Sequence, residues 1–153
     1  MEKKVEALLW SIALPGFAQL LSRSYVKGVL FIGLEILINV QANLNTAIVL
    51  SFQGLTREAV QQTNYLWLMF YPCLYLFVIW DAYKDASDPP KAYMFLPFVC
   101  SAYITTVGVT YSSKAMMGVV LGPIWLPILS IFLGLAVGFA IRRMVIAKGG
   151  ENL

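Results

Sequence analysis

The sequence predicts an all-α, polytopic membrane bundle: four spanning helices preceded by an N-terminal segment that re-enters the membrane or lies along its interface. Three observations predict it. Of the 153 residues, 59% are hydrophobic and only 12% charged, against about 45–50% and about 25% in average soluble domains. The mean hydropathy is +0.74, and the apolar residues fall in long blocks, as bilayer spans do. Lys and Arg sit between those blocks, where loops meet anionic headgroups. One membrane domain over residues 1–153 accounts for the whole chain, with spans expected at about 28–50, 65–84, 92–111 and 119–141.

The first apolar run, Val5–Leu21, follows a charged start (Glu2, Lys3, Lys4, Glu6). No small-residue cleavage site follows, so no removable signal peptide is expected. The run has 17 residues and is broken by Pro15 and Gly16. Proline removes a backbone donor and clashes with the preceding turn, and glycine opens angles closed to other residues. A short, broken run is expected to re-enter at Pro15-Gly16 or to lie in the interface.

The second run starts at Gly28 and carries Glu35, Asn39, Gln41, Asn43, Asn45 and Thr46. Helical spacing puts Glu35, Asn39, Asn43 and Thr46 on one face, with Leu30, Leu34, Leu37 and Ile38 opposite. After polar residues 51–64, where GLTREAVQQT suits one or two exposed helical turns, comes an aromatic span with Pro72 at its middle. It ends at Asp81. The stretch DASDPPK is a break, with Asp81, Asp85 and Asp88 read as solvated acids near Lys84 and Lys91. Their spacing is not that of a calcium loop. The third span contains Pro97 and Cys100. The last is interrupted early by Gly122-Pro123 and Pro127, so its helix proper is expected at about 126–141 with 116–125 as a bent lead-in.

Basic residues favour the cytoplasmic side of short loops. If residues 5–21 cross, the eleven Lys and Arg divide four against seven. If they dip and return, Lys3, Lys4, Arg23, Lys27, Lys84, Lys91, Arg142, Arg143 and Lys148 fall inside, and only Arg57 and Lys114 outside. The cleaner division places both termini in the cytoplasm of a cell membrane.

The residues Leu14-Pro15-Gly16-Phe17-Ala18-Gln19, then Tyr25-Val26-Lys27-Gly28-Val29-Leu30-Phe31, and the ending Trp80-Asp81-Ala82-Tyr83 are similar to a recurrent bacterial pattern. It is PGxGQ…KG, found in small integral membrane proteins related to the two-transmembrane-helix domain family. The chain departs from it at Ala18, in place of the second glycine, and in the link Leu21-Ser22-Arg23-Ser24. The resemblance implies a bacterial inner-membrane protein with a Pro-Gly turn near the cytoplasmic face. It implies no activity.

Glu35 is the residue that stands out chemically. A carboxylate within a span costs about 2.5–3.5 kcal/mol on insertion scales and marks a functional site by default. It serves a proton- or cation-coupling site, or it is a structural acid: protonated, hydrogen-bonded to Tyr or Asn, or paired with Lys27 or Arg23. Asn39 and its polar neighbours line a path or join helices. Tyr71 and Tyr75, one turn apart, stack on an organic cation or pack and donate to Glu35. Gly118, Gly122, Ser130, Gly134 and Gly138 recur at four-residue spacing and mark a helix-packing face, within the bundle or toward another copy. Tyr65, Trp67, Trp80, Tyr83, Tyr93 and Tyr111 fall near span ends, as an interfacial belt does.

There is no histidine, the commonest general base and metal ligand. Cys73 and Cys100 lie in apolar blocks and read as thiols facing lipid or core. No phosphate loop, zinc spacing, nucleophile elbow or dinucleotide motif occurs, so no metal or cofactor is expected. No basic stripe suits nucleic acid. The expected partners are the lipid bilayer and a second copy of the chain or another membrane protein. The expected function is a small non-catalytic accessory, scaffold or partner-binding subunit. The alternative is a small oligomeric transporter or channel with Glu35 as its titratable site.

Overall fold

A computed structural model describes residues 2–87, 89, 91–116 and 118–150, so Asp88 lies outside the described residues. Helix α1 (Glu2–Ala13) ends at the Pro-Gly break, and α2 (Phe17–Leu21) follows. Gly16 takes φ 96°, a left-handed conformation that costs glycine nothing. The Phe17 amide then donates to the Leu14 carbonyl at 3.0 Å and the chain doubles back. Twelve residues of α1 span about 18 Å at about 1.5 Å per residue, well short of a hydrocarbon core of about 30 Å.

Helix α3 (Tyr25–Ala42) packs against α2 through two glycines. A Cβ on Gly16 would lie 2.8 Å from the Gly28 carbonyl oxygen, and one on Gly28 would lie 2.7 Å from Leu20 Cγ. The Pro-Gly turn and the Lys27-Gly28 pair are therefore two halves of one close backbone contact.

The expected helix over 28–50 is interrupted. Asn43 adopts φ 57°, ψ 38° and separates α3 from α4 (Leu44–Phe52). Asparagine visits this region more readily than most residues because its short side chain bonds locally. Here its amide donates to the Gln62 carbonyl at 3.0 Å and its oxygen accepts from Thr46 at 2.8 Å. Asn43→Ala is expected to destabilise the fold by about 1–2 kcal/mol for the left-handed backbone alone. Asn43→Gly keeps the backbone and loses only the side-chain bonds. Thermal unfolding of the purified chain in micelles checks this through the order wild type, then Gly, then Ala.

Helix α5 (Thr56–Gln62) forms the exposed turns expected of GLTREAVQQT and buries Ala59. The aromatic stretch is split into α6 (Tyr65–Leu68) and α7 (Tyr71–Asp85). The break falls at Met69-Phe70, not at mid-span, because Pro72 sits in the first turn of α7, where its missing donor would be unpaired anyway. Helix α8 (Phe95–Tyr111) starts three residues later than expected, after Tyr93 at φ 53°.

The first part of the expected bent lead-in at 116–125 is instead a hairpin, and its last four residues already belong to the final helix. Strands β1 (Ala115–Met116) and β2 (Val119–Val120) pair antiparallel. Gly118 at φ 85° makes its turn and Gly122 at φ 76° opens α9 (Gly122–Gly150). Helix α9 continues through Pro127 and beyond residue 141, so Arg142 and Arg143 lie on it. Arg142 Nε donates to the Ala92 carbonyl at 3.0 Å.

The α8–α9 pair is the most extensive helix contact. Ser101 Oγ of α8 donates to the Ile131 carbonyl of α9 at 3.0 Å. Gly108 faces Ser130, Gly134 faces Ser101 and Gly138 faces Pro97. Ser130, Gly134 and Gly138 thus pack within the bundle, while Gly118 and Gly122 belong to the hairpin and the helix start and do not extend that face.

Helices α3, α6–α7, α8 and α9 alternate in direction. At one end Thr56 meets Gly122 and Trp125 Nε1 donates to the Ser51 carbonyl at 3.3 Å. At the other, Lys27 meets Asp81 and Asp85, and Arg142 meets Ala92. A core of Ile38, Ala42, Leu44, Ala47, Leu68, Val109 and Ile124 lies toward the first end. Three helical stretches are long and apolar enough to cross a membrane: Tyr25–Ala42, Tyr65–Asp85 and Gly122–Lys148. Helix α8 is apolar and slightly shorter, at 17 residues.

Candidate functional site

Glu35 comes from the buried stripe of α3, which reads Gly28, Phe31, Glu35, Ile38, Ala42. That is the three-and-four spacing of one helix face. Ile38, expected on the opposite side, therefore shares the face of Glu35. Asn39, four residues on, is only partly buried, and its amide donates to Asn45 Oδ1 at 3.2 Å across the Asn43 bend.

Helix α7 supplies the partners. Tyr71 Oη donates to Glu35 Oε1 at 3.0 Å. The rings of Tyr71 and Tyr75 stack with centroids 5.5 Å apart and planes 20° apart. Tyr75 Oη donates to the Ile12 carbonyl at 3.0 Å, which ties the last turn of α1 to α7. Glu35, Tyr71 and Tyr75 are thus brought together, and the expected donation from tyrosine to the acid is made by Tyr71.

These groups border a cavity of about 330 Å³. The N-terminal tip, Ile12 to Pro15, forms one wall, and Thr105, Ile124 and Ile128 belong to the others. Glu35 Oε2 and Thr105 Oγ1 are buried without a hydrogen-bond partner among the described residues. The lining residues Ile12, Leu14 and Phe52 are also exposed on the apolar outside of the bundle, so the cavity communicates with that surface.

The expected pairing of Glu35 with Lys27 or Arg23 is not made. Lys27 Nζ lies 2.9 Å from Asp81 Oδ1 and 3.2 Å from Asp85 Oδ2. Among the described residues Glu35 has no ion pair.

Asp81 belongs to a second polar cluster and is not a solvated loop acid. It is 7% exposed. Gln19, fully buried on α2, donates through Nε2 to the Val78 carbonyl at 3.1 Å and to Asp81 Oδ2 at 3.2 Å. Gln19, Lys27 and Asp81 join α2, α3 and α7. All three are residues of the bacterial pattern given above, which was the signal available for a cluster in which local reading assigned Asp81 to solvent and Lys27 to Glu35. Tyr83 is likewise buried, packed with Trp80 and Phe98, and not part of an exposed belt.

No family model, curated protein or solved structure matches the chain.

Proposed function

We infer that the chain is a small non-catalytic integral membrane protein with four crossings, both termini on the cytoplasmic side, and a re-entrant hairpin made by α1 and α2. It serves as an accessory, scaffold or partner-binding subunit, and the resemblance to proteins related to the two-transmembrane-helix domain family implies a bacterial inner membrane as its location. The observation that carries the reading is the Gln19–Asp81–Lys27 cluster. It spends the polar groups at the inner end of the bundle on holding the hairpin in place, so they act as glue between helices and not as reagents.

The level of the hairpin supports the topology. Lys3, Glu6 and Ser22 border one cavity with Asp85 and Ala86, whereas Leu14 and Pro15 border the deeper one at Glu35. The segment enters and leaves at the level where α7 ends.

Cysteine accessibility tests it, on a Cys73→Ala/Cys100→Ala background. Ser22, Gly54, Lys91 and Ser113 are exposed, and each is replaced singly by cysteine. Ser22→Cys and Lys91→Cys are expected to react only from the cytoplasm, and Gly54→Cys and Ser113→Cys only from outside. Reaction of Ser22→Cys on the same side as Gly54→Cys sinks the re-entrant reading.

The unpartnered Glu35 oxygen favours a second reading, a small oligomeric transporter or channel. Proteoliposomes separate the two. The accessory reading expects no proton or cation flux above empty vesicles, and a flux abolished by Glu35→Gln establishes the second.

A further inference from the structure

The cavity at Glu35 holds a chemical mismatch that the described residues do not resolve. A carboxylate set in an apolar wall is costly unless paired and hydrogen-bonded. Tyr71 satisfies one oxygen, and the other has no partner among the described residues. Lys27, the basic residue on the same helix, is committed to Asp81 and Asp85. Beside the acid stand two stacked tyrosine rings, whose faces attract cations. The remaining wall is apolar, including Ile124, Ile128 and Ile131, with Thr105 as the other polar point named above.

We propose that this cavity binds a small organic ammonium ion with an apolar body, taken up laterally from the bilayer. Glu35 supplies the counter-charge. Tyr71 and Tyr75 supply aromatic faces, and Ile124 and Ile128 pack on the apolar body. The volume of about 330 Å³ sits at the lower end of ligand pockets, roughly 300–1,000 Å³, and selects a ligand of one ring or a short branched chain. The exposed positions of Ile12, Leu14 and Phe52 on the cavity rim give the route from lipid. Tyr75 is held by the carbonyl of Ile12, so the hairpin tip forms part of the site. Binding does not require transport. The inference rests on the membrane placement of α3 and α7, which the cysteine labelling tests separately.

The test is equilibrium binding of radiolabelled benzyltrimethylammonium to the full chain in lipid nanodiscs. Neopentylbenzene, its uncharged isostere, serves as the comparison by competition. The expected result is saturable binding at one site per chain, with the neutral isostere competing at least about tenfold more weakly because it forgoes both the carboxylate and the cation–π attraction. Glu35→Gln is expected to weaken the cation at least about tenfold while leaving the isostere unchanged. Tyr71→Phe keeps the ring and frees Glu35 Oε1, and is expected to bind the cation at least as tightly as wild type. No saturable binding to wild type overturns the proposal, as does equal competition by the isostere. Should Glu35→Gln not fold, the two ligands on wild type and the Tyr71→Phe variant still decide it: weaker cation binding by Tyr71→Phe counts against a carboxylate-held cation.

Discussion

Replacing Gly134 or Gly138 with valine is expected to unfold the α8–α9 pair, with a cost at or above about 3 kcal/mol per site, the upper end of ordinary overpacking. The reason is what stands opposite. A Cβ on Gly134 collides with Ser101 Cα and comes within 2.9 Å of the Ser101 nitrogen. A Cβ on Gly138 collides with Pro97 Cα and comes within 2.8 Å of the Leu96 carbonyl. Side chains can rotate away from a new methyl group, but backbone cannot. The two axes must part, and with them goes the hydrogen bond from Ser101 Oγ to Ile131. Gly33 is the control, because a Cβ there meets nothing within 4 Å. Gly33→Ala is expected to leave stability unchanged or to raise it by up to about 1 kcal/mol, since alanine is the better helix former. Titrated SDS unfolding read by circular dichroism separates the cases. If Gly134→Val and Gly138→Val unfold like Gly33→Ala and change only self-association, the small-residue face serves another copy of the chain and the packing against α8 is wrong.

The presence of long apolar helices and the Pro15-Gly16 break were legible because each depends on local chemistry. A long apolar run needs lipid, and a Pro-Gly pair interrupts a helix wherever it falls. The buried face of α3 was not legible. In a membrane the lipid side and the packed side are both apolar, so periodicity marks Glu35 but cannot say that Ile38 shares its face. The break at Asn43 was hidden for a related reason: Asn43, Asn45 and Thr46 suit a solvated helix end as well as a left-handed turn. Residues 116–125 read as a bent lead-in to the last helix, and the strand pairing and the positive φ of Gly118 and Gly122 reveal a hairpin in its first part. For Glu35 the residue types carried the information. An acid and two tyrosines one turn apart are few enough among apolar neighbours that their meeting was foreseeable, whereas the fate of Lys27 was not. Its partner Asp81 lies 54 positions away, and in sequence it sits beside the acids of an evident loop.

That distant pairing sets the last expectation. Asp81→Ala is expected to loosen the N-terminal hairpin and to cost about 2–4 kcal/mol. Removing one partner of a buried pair costs about 3–5 kcal/mol, but Lys27 has a side chain 47% exposed and keeps Asp85, so part of its charge returns to water and the cost falls. The lost acceptor adds to this. Gln19 Nε2 retains the Val78 carbonyl at 3.1 Å and loses its second bond in a fully buried position, where an unmet group costs about 1–3 kcal/mol. Asp81→Asn divides the two effects: its amide oxygen still accepts from Gln19, while the charge opposite Lys27 is gone. The unfolding midpoint should therefore fall in the order wild type, Asp81→Asn, Asp81→Ala. Lys27→Met combined with Asp81→Asn should cost less than the sum of the single changes, because each removes the same pair. Tyr75 reports the link onward to the Glu35 cavity. It is bonded to Ile12 at the far end of the hairpin, so a loosened hairpin should raise the reactivity of Ile12→Cys in the Cys73→Ala/Cys100→Ala background. An Asp81→Ala protein with wild-type midpoint and unchanged labelling at residue 12 would mean that the hairpin is held by its apolar contacts alone, and that the polar cluster has a role other than anchoring.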